Sequence, residues 1–228
     1  MCGRFASAVR PSDAWLELMQ EWSDELFNRY NVSPTSQIGA FVEGRCHAMR
    51  WGLIPSWSKQ LDSRYATFNA RLESIESKPT FRDAWRRNQK CLIPALGYYE
   101  WRVERDQEGK DFKQPYFVTM PDGEPLVFAG LYDQTVIGDA SLKTCTIITT
   151  ESTGELKDLH SRMPVMLSPD SAAEWLSRRS RVADDEETRA YMQNENRAAR
   201  GDAFEIHAVD RRVNRSSEEG PDLVRPLE

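Results

Sequence analysis

The sequence is poor in the residues that build metal sites and cross-links. Of its 228 residues, four are cysteine (Cys2, Cys46, Cys91, Cys145), far apart from one another, and three are histidine (His47, His160, His207), equally scattered. With no C-x-x-C spacing, neither a zinc site nor a disulfide framework is indicated, so we expect no metal and no cofactor. No run of about 18 apolar residues occurs, which excludes a membrane-spanning helix. No basic-then-apolar leader precedes Cys2, so a soluble cytoplasmic protein is expected. Internal repeats and a clear linker are also missing. Basic residues are in deficit, 30 Lys and Arg against 36 Asp and Glu, giving a net charge of −6. That argues against indiscriminate polyanion binding, but the field that matters is local. Acidic residues crowd into Asp184-Asp185-Glu186-Glu187 and Ser216-Ser217-Glu218-Glu219, whereas Arg82, Arg86 and Arg87 cluster beside Trp85. A basic groove and an ordinary solvated helix face both fit that cluster.

What the chain does hold is aromatic mass: seven Trp and nine Phe suit a sizeable core. We read one domain over residues 1–228, with an acidic variable segment at about 178–202 and a polar tail from about 215. Ser12 can cap a helix in which Trp15, Leu18, Met19, Trp22 and Leu26 share one face. Ile38–Val42 and His47–Trp51 read as strands joined across Glu43-Gly44-Arg45. A short helix fits Thr80–Arg87. Cys91–Ala95 and Tyr98–Arg102 read as strands around a Gly97 bend, and the charged residues 104–113 as a solvated loop or hairpin tip. Tyr116–Met120 and Leu126–Tyr132 flank the turn Pro121-Asp122-Gly123. Thr144–Thr150 and Met163–Leu167 are strand-like, a helical turn ends at His160, and Ser168-Pro169 opens a helix. Phe204–Ala208 alternates as a last strand. The fold class is therefore α+β, with a mainly antiparallel core that curls into a barrel and flanking helices.

The first four residues, Met1-Cys2-Gly3-Arg4, carry the most chemistry. Aminopeptidases remove an initiator Met before a small side chain, leaving Cys2 with a free α-amine and a thiol. Near neutral pH both supply some nucleophile. An amine condenses with an aldehyde to an imine, and the neighbouring thiol can close a five-membered thiazolidine. Taken alone, Cys2 reads more simply as an ordinary terminal residue. Glu100 lies between Tyr99 and Trp101, where a carboxylate is costly to bury unless paired or protonated. Simple strand alternation, pointing it outward, explains it equally. Asn69 and His160 are singly unremarkable.

Taken together they form a series. Met1-Cys2-Gly3-Arg4-Phe5, Tyr30-Asn31-x-x-Pro34, Arg50-Trp51-Gly52-Leu53-Ile54-Pro55-x-Trp57, Asn69-Ala70-Arg71-x-Glu73, Cys91-Leu92-Ile93-Pro94-Ala95-x-Gly97-x-Tyr99-Glu100-Trp101 and His160-x-Arg162-Met163-Pro164 occur in this order. The series resembles the SOS-response-associated peptidase (SRAP) family over residues 2 to about 177, and more loosely near Ile206 and Val213-Asn214. The resemblance implies a sensor of abasic sites in single-stranded DNA that crosslinks itself to the lesion, a monomer associated with the nucleoid when bound to DNA. It implies Cys2 as nucleophile with Asn69, Glu100 and His160 as partners. Arg4, Arg71 and Trp51 would line the DNA channel, with Pro34 near the active site; Arg82 and Arg162 are further candidate DNA contacts.

Glu100 suits taking a proton from the amine, and His160 protonating the sugar oxygen as the ring opens. Asn69 can hold the adduct. Arg50 departs from the Trp that the family often has there, and residues 178–202 match nothing familiar. Peptidase activity, in the family's name, would mean self-removal of leader residues; here only Met1 precedes Cys2. Two other readings stand beside this one. N-terminal-nucleophile glutaminases also begin Met-Cys-Gly, and a noncovalent reader of single strands or modified bases would use the same arginines and Trp51.

Overall fold

A computed structural model describes residues 2–61, 66–177, 185–198 and 201–227. Among these residues the strands are β1 (Arg4–Ala6), β2 (Gln37–Val42), β3 (Arg45–Trp51), β4 (Asn69–Arg71), β5 (Lys90–Ala95), β6 (Gly97–Arg105), β7 (Asp111–Thr119), β8 (Leu126–Ile137), β9 (Ala140–Glu151), β10 (Arg162–Pro164), β11 (Met166–Leu167) and β12 (Glu205–Ala208). The helices are α1 (Pro79–Arg86), α2 (Leu156–Leu159), α3 (Pro169–Ser177) and α4 (Asp185–Asn194).

Five strands close on themselves: β3 pairs β2, β2 pairs β5, β5 pairs β8 and β8 pairs β9, all antiparallel. The ring is completed by a short parallel pairing of β9 with β3, Arg50↔Thr144 and Trp51↔Cys145. Closure explains the near-continuous apolar runs of the sequence, because both faces of each strand are covered. Ile38, Ala40, Met49, Cys91, Ile93, Phe128, Cys145 and Ile147 form one buried cluster. Their neighbours Phe41, Leu92, Val127, Ala129, Leu131 and Ile148 belong to a second, with Trp85 of α1 and Trp175 of α3. A separate four-stranded sheet, ordered β1-β6-β7-β12, lies against the first cluster through Phe5 and Tyr98. The chain is thus α+β with a barrel core.

Turn chemistry sets several joints. Val42↔Arg45 closes the β2–β3 hairpin over Glu43 (φ 50°) and Gly44 (φ 79°), the pair of positive φ angles that a tight hairpin turn demands. Ser168 caps α3 by accepting from Ser171 N at 3.3 Å. The turn at 121–123 joins strands of different sheets, since β7 pairs β6 and β12 while β8 pairs β5 and β9.

Two expectations are corrected and one is made more definite. The helix expected after Ser12 is instead two 3₁₀ turns, Asp13–Trp15 and Asp24–Leu26. Glu21 N donates to Gly44 O at 3.2 Å, and this pairing with the β2–β3 hairpin replaces a helical bond. Trp22 stacks on Phe27 and Phe41, so side-chain packing here follows a strand edge, not a helical stripe. The solvated stretch 104–113 is the end of the β6–β7 hairpin, with residues 106–110 as its tip, where Asp106 Oδ1 accepts from Glu108 N and Lys110 N. Met163–Leu167 divides, with Met163 pairing Thr150 of β9 and Met166 pairing Phe128 of β8. Of the acidic segment, 178–184 and 199–200 lie outside the described residues.

Candidate active site

β1 is short because it has one task, to lay the N-terminal residues on β6. The register is Arg4↔Tyr99, Phe5↔Tyr98 and Ala6↔Gly97, and its antiparallel continuation carries the preceding residues toward Glu100. On its other side Gly97 permits the close approach of β7: a Cβ there would meet Val118 O and Phe117 Cζ at 2.4 Å. Cys2 is fully buried in the cluster that fills the barrel. Asn69, the first residue of β4, donates from Nδ2 to Cys2 O at 2.7 Å. Its Oδ1 is also buried and accepts no hydrogen bond among the described residues.

Glu100, 3% exposed, is close enough to act electrostatically on both Cys2 and Tyr98. Burial, then the Glu100 charge, pushes the Cys2 thiol far above its ordinary range. The same two causes raise the Tyr98 hydroxyl. His160 ends α2 in extended backbone, and its Nδ1 accepts from Arg162 N at 2.9 Å. The same Nδ1 lies 3.2 Å from Arg162 O, so the backbone of Arg162 fixes the ring from both its N–H and its C=O. Glu100 and His160 line one open cavity of about 410 Å³ with Trp101, Lys113 and Asn214. Cys2 and Asn69 are buried and are not among its lining residues.

The structure therefore brings Cys2, Asn69, Glu100 and His160 together in overlapping pairs, from segments far apart in sequence. The nominated DNA contacts separate. Trp51 is a correction: it is fully buried, its Nε1 donates to Phe68 O at 2.8 Å, and Phe5 and Phe68 pack edge-on against it. It offers no open face for stacking. Arg162 is a second: it grips Glu73 Oε1 and Oε2 at 2.8 and 3.0 Å and Thr149 O at 2.8 Å, which makes it a strut. Arg4 is half-buried, and part of its guanidinium is committed to the fold. It donates to Asn31 Oδ1 at 2.6 Å, Val213 O at 2.8 Å and Asn214 O at 3.3 Å. Arg71, two residues after Asn69, is exposed, and its guanidinium makes no hydrogen bond or ion pair among the described residues. Pro34 is half-buried in the turn before β2. Arg82 pairs with Asp83 on α1 and does not line the Glu100–His160 cavity.

Lys113 was missed as a site residue, and Trp101 and Asn214 carried no assigned role. The hairpin tip Asp106-Gln107-Glu108-Gly109-Lys110 is the signal that could have found Lys113, because it fixes Lys113 opposite Val103. Among the described residues no three His, Cys, Asp or Glu side chains are grouped to hold a metal, and no helix is long and apolar enough to cross a membrane.

A closed barrel flanked by a small sheet, with a buried near-terminal cysteine facing a carboxylate and beside an imidazole-lined cavity, defines the class. The chain belongs to the SOS response associated peptidase (SRAP) family, whose model matches residues 1–216. It is 33% identical over 236 residues to the abasic site processing protein YoaM of Bacillus subtilis, covering 98% of this chain and 97% of that one. It is 27% identical over 238 residues to the abasic site processing protein YedK of Escherichia coli, covering both chains fully. A crystal structure of a protein from Bacteroides thetaiotaomicron shares the fold over both whole chains, with a TM-score of 0.76 at 22% identity.

Proposed function

We propose that this protein recognises abasic sites in single-stranded DNA and joins itself to them through Cys2. It would act as a single-domain monomer in the compartment that holds the DNA. Relatives called abasic site processing proteins support the substrate. The observation that carries the reading is the 2.7 Å bond from Asn69 Nδ2 to Cys2 O, which fixes the backbone of Cys2 beside Glu100.

While Met1 is attached, the Cys2 nitrogen is an amide and no nucleophile. Its removal frees an amine held close to a carboxylate. The amine attacks the aldehyde of the open abasic sugar; Glu100 takes a proton from nitrogen, and water leaves as the imine forms. His160 protonates the sugar ring oxygen as it opens. An imine left alone promotes β-elimination and strand breakage. The thiol then adds across C=N: a C–S bond forms, nitrogen gains the proton, and the thiazolidine preserves the phosphodiester. Because its surroundings keep the sulfur protonated, this addition follows imine formation and does not compete with it.

Intact-mass spectrometry after mixing with abasic and undamaged oligonucleotides tests the reading. Protein with a free Cys2 amine gains a mass that depends on the lesion, and protein with an uncleavable N-terminal tag does not. An adduct of equal yield from the tagged protein would rule out the α-amine.

A further inference from the structure

We infer that Lys113, on the β6–β7 hairpin, is the phosphate-binding residue of a nucleotide subsite adjoining the reacting sugar. The inference rests on the reading of single-stranded DNA as substrate and names the next contact along it. Side chains two apart on a strand share a face, as do those directly opposite on a paired strand. Trp101 and Val103 therefore lie on one face of β6, with Pro115 and Lys113 opposite them on β7. Trp101 and Lys113 of that face line the cavity with Asn214 and His160, and Glu100, the neighbour of Trp101 on β6, completes the lining.

Three features make this face a built subsite. Lys113 is the one lysine or arginine among the cavity's lining residues, and it makes no ion pair among the described residues. The indole of Trp101 is fixed by donation from Nε1 to Asn214 Oδ1 at 2.7 Å, and Val103 beside it is 61% exposed. A rigid apolar wall next to a free ammonium suits a sugar–phosphate with its base. Of the nominated arginines, Arg4 holds Asn31 and the 213–214 carbonyls and Arg162 holds Glu73, while the exposed Arg71 is not among the residues that line this cavity. The abasic sugar carries phosphodiesters on its 3′ and 5′ oxygens, so the reaction places an anion close to this cavity.

Salt titration of binding, by anisotropy of a labelled single strand with or without an abasic site, tests the subsite. Loss of one single-strand phosphate contact lowers the slope of log K against log salt by about 0.7. The affinity gap between wild type and Lys113→Ala should accordingly narrow about 2.6-fold between roughly 50 and 200 mM salt. Lys113→Arg should keep the wild-type slope. So should Lys110→Ala, which removes the same charge from the exposed tip of the same hairpin. A wild-type slope for Lys113→Ala, or an equal fall for Lys110→Ala, would overturn the assignment. The two readings fail separately. A wild-type protein that forms no lesion-dependent adduct while Lys113→Ala still lowers the slope defeats covalent capture and upholds the subsite. Adduct formation with an unchanged slope does the reverse.

Discussion

Cys2 carries two nucleophilic atoms that its surroundings treat differently. The backbone nitrogen is positioned by the Asn69 bond to the adjoining carbonyl, whereas the sulfur is enclosed and kept as a thiol. Cys2→Ser removes only the second nucleophile. Attack on the aldehyde should survive, but a hydroxyl closes the ring poorly. Borohydride should then trap an imine that the wild type does not accumulate, and strand cleavage should rise relative to crosslinking. Glu100→Gln should slow both proteins, because it removes the proton acceptor and neither nucleophile; a tenfold loss of rate corresponds to about 1.4 kcal/mol in the barrier. A gel of end-labelled abasic oligonucleotide, with and without borohydride, reads all of these products. A stable unreduced adduct of Cys2→Ser at wild-type yield would sink ring closure through sulfur.

The imidazole is positioned by an element, not by a single neighbour. His160 sits between α2 and β10, and the N–H that fixes its ring belongs to Arg162, whose side chain forks onto Glu73 beside β4. Burial alone would raise the Glu73 carboxyl, but the Arg162 hydrogen bonds hold it below its ordinary value of 4.5. A depressed carboxyl stabilises the fold above its unfolded value and loses that contribution as pH falls through the folded one. The difference in melting temperature between wild type and Glu73→Gln should therefore be full above about pH 5 and shrink as the pH drops below 4.5. A difference that is flat across that range would mean the fork contributes no ionic stabilisation. This strut shows where sequence reading stops. The proposed quartet of Cys2, Asn69, Glu100 and His160 was legible because motifs fix residue types in order, and the barrel because Cys91–Ala95 is apolar throughout and Ile147-Ile148 puts an apolar residue on each face of β9. Partners were not legible. Arg162 and Arg4 take carbonyl oxygens as partners, which every residue has, and the Val213 carbonyl is 209 positions from Arg4. Trp51 likewise stood inside a motif that says the position matters without saying which way the ring faces.

At the scale of the whole molecule, the two ends of the chain are clamped together around the site. Residues from 215 onward, polar by composition, fold back: Leu223 is buried with Ala6, Tyr99, Phe117, Val209 and Val213, and Leu227 N donates to Ala208 O at 2.9 Å. Glu219 accepts from Arg29 Nε and Tyr30 N at 3.0 and 2.8 Å. At the centre is Asn31, fully buried. Its Nδ2 lies 3.3, 2.9 and 3.0 Å from the carbonyls of Val213, Arg215 and Glu218, and its Oδ1 accepts from Arg4. One side chain thus ties the C-terminal segment, which supplies Asn214 to the cavity, to β1, the strand that follows Cys2. Asn31→Ala leaves buried carbonyls and an arginine without that partner, a loss of about 1–3 kcal/mol. For a chain of this size each kcal/mol lowers the melting temperature by about 2–4 °C. Crosslinking, measured well below that temperature, should fall as well, because β1 loses an anchor next to its reactive residue. Asn31→Asp separates the two bonds: it keeps an acceptor for Arg4 but faces the carbonyls with oxygen, so it should destabilise while retaining the Arg4 contact. If Asn31→Ala melts and crosslinks like the wild type, the clamp does not position Cys2, and the three-residue pairing of β1 with β6 must hold the reactive terminus unaided.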